Sequence, residues 1–157
     1  MAQDPAPFGD RNETEAERND RKWEDVLQEL RVVQTGAQLT AGFLLTLPFQ
    51  QSFDDLTDLQ RRAYLALVVL AALVTGLVLT PIAIHRRLAG RHVKGRLVAA
   101  GAATVKVVVW ALALLVTGIT TFIFDVVVDG TAALAAGGVL VLVLVVLLVV
   151  VPSRLVD

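Results

Sequence analysis

Residues 132–151 read AALAAGGVLVLVLVVLLVVV, twenty positions without one polar side chain. As an α-helix such a run is about 30 Å long, the thickness of the hydrocarbon core of a bilayer. Three further apolar stretches follow the same rule: 32–49, 63–84 and one within 97–124. A soluble domain of 157 residues has too little polar chain to wrap four of them. Transmembrane β-strands are excluded because they alternate apolar with polar residues, and these stretches do not. The expected fold is therefore all-α, a membrane four-helix bundle.

The third stretch, at 28 residues, exceeds what a bilayer needs. Lys106 fixes its start: a lysine at mid-bilayer costs about 3 kcal/mol, whereas a span over 104–124 puts the ammonium at the interface, within reach of water along its own stem. The second stretch follows Thr57, a cap ahead of Asp58, and closes on His85, Arg86 and Arg87, with Pro81 in its last turn. The fourth ends at Pro152. Asp129 and Gly130 make the turn before it, with Thr131 as its cap.

Ahead of the spans, residues 1–14 carry prolines and charges and are expected to form a disordered tail. Thr14 and Glu17 then match a capping box, and Trp23, Val26, Leu27, Leu30 and Val33 recur at helical spacing. This predicts an amphipathic helical extension that lies on the membrane surface or packs on another helix. The domain division is thus a tail over 1–14 and a four-helix transmembrane domain over 15–157, with spans near 32–49, 63–84, 104–124 and 132–151.

Composition agrees with a membrane location: 55% hydrophobic against 18% charged residues, with a mean hydropathy of +0.67, is too apolar for a water-soluble domain. Cysteine is absent, which removes disulfides, thiolate metal sites and cysteine nucleophiles. The first twenty residues are polar and acidic, so the first span is expected to serve as the targeting signal. The connection HRRLAGRHVKGR holds Arg86, Arg87, Arg91, Lys94 and Arg96 with no acid, while residues 50–62 carry three aspartates against two arginines. The positive-inside rule then places both termini and the basic loop in the cytoplasm.

Candidate sites follow from polar residues in apolar surroundings. Arg31, Gln34 and Gln38, at spacings of three and four, share one face of the first helix, expected to point into the bundle and hydrogen-bond across it. The sharper alternative has Gln34, Gln38 and Lys106 lining a polar path. Glu29 and Lys106 form a candidate interface pair. Asp125 and Asp129 stand at the outer boundary, as surface residues or as an ion-capturing mouth. The basic loop is topological, or contacts anionic lipid through Arg86, Arg87, Arg91, Lys94 and Arg96. Small residues four apart (Ala72, Gly76 and Thr80; Thr117 and Thr121; Ala133 and Gly137) mark close helix contacts, either within the chain or in a homodimer. His85 and His92 lack the partners that metal or nucleophile chemistry requires. No catalytic, cofactor or metal residues are expected, and no aromatic interleaves the basic residues as nucleic-acid binding would need.

The runs LQELRVVQTGAQLTAGFLLTLPFQQSF, DLQRRAYLALVVL, TPIAIHRRL and FIFDVVV resemble a family of small, mostly actinobacterial integral membrane proteins of unknown function, some of whose members are labelled cation:proton antiporters. The resemblance implies an inner-membrane location and no assigned reaction. The residues themselves favour a non-catalytic membrane protein that associates with itself or with a larger complex. The alternative is a minimal, homodimeric ion or solute transporter, against which stands the absence of a carboxylate inside the first two spans.

Overall fold

The computed structural model describes residues 14–88 and 94–156. Four long helices follow one another: α1 (Glu15–Thr46), α2 (Asp58–Leu88), α3 (Lys94–Val127) and α4 (Gly130–Val145). The last continues through a π turn, Val146–Val150, into a short α5, Val151–Val156. No strand occurs among the described residues, and the chain is an all-α bundle. Apart from Thr14, the tail expected over 1–14 lies outside the described residues.

α1 starts at the capping box. Glu17 N–H donates to Thr14 Oγ1 at 3.3 Å, and Thr14 N–H donates back to Glu17 Oε2 at 2.8 Å. The amphipathic extension and the first apolar stretch form one unbroken helix of 32 residues, about 48 Å long. Its stripe packs on helices rather than lying flat on a surface: Trp23, Val26 and Leu30 are buried together with Val74, Val78 and Val108. Pro48 ends α1. Lacking an N–H, it cannot serve the carbonyl of Leu44 four residues back, which instead accepts from Leu47 N–H and from the hydroxyl of Tyr64 at 2.9 Å. Two 3-10 turns, Leu47–Phe49 and Gln51–Phe53, then reverse the chain.

At the start of α2, Thr57 and Gln60 form a second reciprocal cap. Pro81 is not in its last turn as expected: α2 runs to Leu88, with Pro81 buried inside it. For α4 the cap is Asp129 rather than Thr131, its carboxylate accepting from Ala132 N–H at 2.7 Å. Nor does the fourth helix stop at Pro152. The proline ring has no N–H to give and crowds the carbonyl of Leu148, and the preceding turn widens to π so that the helix continues through it.

α1, α2 and α3 share one core, built in two layers. One holds Trp23, Val26, Leu30, Ala37, Val74, Val78 and Val108; the other holds Leu44, Tyr64, Leu67, Ala71 and Leu115. Glycines allow the closest approaches on α3. A Cβ at Gly101 would lie 2.9 Å from the Trp23 ring, and one at Gly118 would lie 2.6 Å from a Leu67 methyl. Among the described residues α4 packs on α3 alone, burying Ala133 and Gly137, and a Cβ on Gly137 would collide with the Thr121 hydroxyl.

Three helices are long and apolar enough to cross a membrane: Asp58–Ile84, Val98–Val127 and Gly130–Leu155. α1, expected to provide the first of four spans over 32–49, is not among them. Two glutamines and three threonines dilute its apolar stretch, and Pro48 cuts it short.

Candidate functional site

The inward side of α1 is set by Trp23, Leu30, Ala37 and Leu44, seven residues apart and all buried. A stripe of this period keeps one seam of a helix facing its neighbours. It leaves the polar residues on the flank. Arg31 and Gln38 are exposed and Gln34 is half-buried, so this face opens outward instead of pointing into the bundle as expected. Packing area explains the outcome: four apolar positions in register outweigh two amides that the core has no partner for.

Two grooves lie along this outer side, between α1 and α2. Gln34 and Arg31 border one of about 280 Å³, walled by Leu27, Leu30, Val78 and Ile82. Gln38 borders the other, about 450 Å³, with Gly42, Leu45, Val68, Ala72 and Thr75. The hydroxyls nearby are spent within their own helices: Thr35 donates to the Arg31 carbonyl at 3.0 Å, Thr40 to that of Gly36 at 2.9 Å, and Thr75 to that of Ala71 at 3.0 Å. Among the described residues the side chains of Gln34 and Gln38 have no hydrogen-bond partner. Gly36, Gly42 and Gly76 have nothing within 4 Å of an added Cβ, and Ala72, Gly76 and Thr80 are all exposed. The small residues of α4 are therefore used inside the chain, against α3, and those of α2 are not.

Glu29 and Lys106 stand at nearly the same height, because Trp23 lies beside Gly101 and the two residues are about 9 Å and 7.5 Å further along their helices. Both are exposed, and among the described residues no ion pair joins them. At the opposite end Asp125 is half-buried and accepts from Gln60 Nε2 at 2.9 Å. Asp129 is occupied as the cap of α4. Arg86 and Arg87 fall in the last turn of α2, Lys94 and Arg96 in the first turn of α3, and Arg91 and His92 lie outside the described residues.

One cluster was missed in the sequence. Phe53 meets Tyr64 edge-on at 5.1 Å between centroids, Phe122 lies 6.3 Å from Tyr64, and the Arg61 guanidinium sits 5.8 Å over the Phe53 ring. With Gln60 and Asp125 these residues lock the ends of all three core helices together. The pattern T-x-x-Q at Thr57 to Gln60 was the available signal for the cap, while the contacts across helices had none.

This geometry defines a small multi-helix bundle of the membrane-spanning class, apolar on its outside and without a buried polar or charged side chain among the described residues. Residues 12–152 match the model of a family of unknown function, DUF6328, and the chain belongs to that family. No curated protein and no solved structure matches it.

Proposed function

We propose that this chain is a non-catalytic protein of the bacterial inner membrane whose task is assembly, the outer face of α1 and α2 being the surface on which another transmembrane helix docks. In this reading all four long helices cross. α1 is buried against α2 and α3 at both layers of the core, through Leu30 and Ala37 in one and Leu44 in the other, so it shares the depth at which they cross. The charge asymmetry of the loops orients both termini toward the cytoplasm.

The single observation that carries the reading is Gln38. From Lys106 to Asp125 along α3 is about 28 Å, close to one hydrocarbon thickness, and Gln38 lies between those levels. Exposed there without a partner, its amide would cost several kcal/mol against lipid. Small residues share its groove, Gly42 and Ala72, and Gly76 follows Ala72 by one turn on the exposed side of α2, where a neighbouring backbone can approach.

The chain contains no cysteine, so single cysteines can be placed at will. Gly76→Cys should crosslink to a neighbouring membrane protein in native membrane, while Leu134→Cys, on the outer side of α4, should not. Equal, low crosslinking at both positions would refute the docking surface. Transport finds less support, because no polar or charged side chain is buried in the bundle among the described residues, and the polar pair that joins two helices, Gln60 with Asp125, lies at their ends. Potential-driven ion flux in liposomes that Gln38→Leu abolishes would replace assembly with transport.

A further inference from the structure

We infer that the helix docked at Gln38 belongs to a second copy of this chain, so that the protein is a two-fold dimer closed through α1 and α2. The inference rests on the docking surface proposed above and names its occupant.

Symmetry supplies the argument. Two copies with the same orientation in a membrane are related by an axis along the membrane normal, so each residue faces its own counterpart at its own depth. Whatever covers Gln38 must offer both a donor and an acceptor at that depth. A glutamine amide has both, and two of them facing each other can exchange a reciprocal pair of hydrogen bonds. The same holds one turn away at Gln34, so both unpartnered amides of α1 are answered by one operation. A foreign helix would need polar residues placed at the same two levels.

Shape agrees with this occupant. Gly42 lies one turn beyond Gln38 with nothing within 4 Å of an added Cβ, and Gly76 on α2 is equally open. Both permit the close backbone contact that crossings at small residues use. A crossing centred at Gln38 and Gly42 also makes the two α1 helices diverge toward the cytoplasm. Arg31 lies seven residues back, about 10 Å away, so the two guanidinium groups splay toward the headgroups instead of meeting.

The test uses the full chain in native membrane, co-expressed with two different tags and extracted into polymer-bounded lipid discs. Gly42→Cys should give adducts of twice the chain mass carrying both tags, and the tagged copies should co-purify. Gln38→Leu should lower that co-purification at least tenfold, and Gln38→Asn, which keeps an amide, should restore part of it. Adducts only with a different membrane protein would overturn the second copy while leaving the docking surface standing. A Gly42→Cys that forms no adduct and is fully modified by a lipid-soluble maleimide would overturn both.

Discussion

Gln60 Nε2 donates to Asp125 Oδ2 at 2.9 Å while Gln60 Oε1 accepts from Thr57 N–H at 3.0 Å, so one side chain caps α2 and ties it to the end of α3. Removing one partner of a hydrogen bond that is shielded from water costs about 1–3 kcal/mol, because the group left behind is unsatisfied. Gln60→Leu should therefore destabilise the bundle by about 2 kcal/mol in a detergent unfolding titration. Asp125→Asn keeps an acceptor for the same amide and should lose less than half as much. Equal losses from the two variants would show that the bond between them is not what stabilises this end.

Glycines divide into those that admit a neighbour and those that do not. A methyl at Gly101 would meet the Trp23 ring at 2.9 Å and a Val26 methyl at 3.0 Å, two side chains already packed in the core. Gly101→Ala should cost about 1–3 kcal/mol, as overpacking does. Gly36→Ala meets nothing within 4 Å and should be neutral or stabilising by about 0.5–1 kcal/mol through helix propensity. The same unfolding titration ranks them, and a Gly101→Ala variant as stable as the parent would contradict the packing of α1 on α3.

Helix type and number were legible because long apolar runs leave few alternatives, and the capping box at Thr14 and Glu17 was legible because both partners lie within one turn. The direction of the α1 polar face was not. Glutamines at 34 and 38 looked unfit for lipid, which pointed them inward, whereas the seven-residue stripe of Trp23, Leu30, Ala37 and Leu44 decides the rotation of the helix. That stripe spans the polar extension and the apolar segment, and it is lost when the two are read as separate elements. The tie from Gln60 to Asp125 was illegible for a simpler reason: 65 residues separate them, and no local pattern encodes their meeting.

Tyr64 and Pro48 are linked through one carbonyl. Pro48 denies Leu44 its usual helical donor, and the Tyr64 hydroxyl takes that place at 2.9 Å within the core. Tyr64→Phe should cost about 1 kcal/mol. In a Pro48→Ala background the helix has an N–H to offer Leu44, so the same substitution should cost measurably less. A double-mutant cycle reads this coupling directly; strict additivity would mean that the hydroxyl contributes nothing through Leu44.

The start of α1 should respond to acid while the bundle does not. Glu17 is held below the usual carboxylate range, first by the backbone N–H of Thr14 and then by its hydroxyl, both donating to Oε2 at 2.8 Å. Because the folded value lies below the unfolded 4.5, the cap contributes fully above pH 4.5 and is lost as pH falls through the lowered value. The amide of Arg18, bonded to the Thr14 carbonyl at 3.0 Å, reports on this turn. Its hydrogen-exchange protection, corrected for intrinsic rates, should be level above pH 4.5 and fall as the pH is taken progressively below it, with that of Val74 in the core unchanged. Glu17→Gln should remove the pH dependence by supplying an acceptor that does not titrate. Protection at Arg18 that is flat across this range in the parent chain would mean that α1 begins without help from its cap.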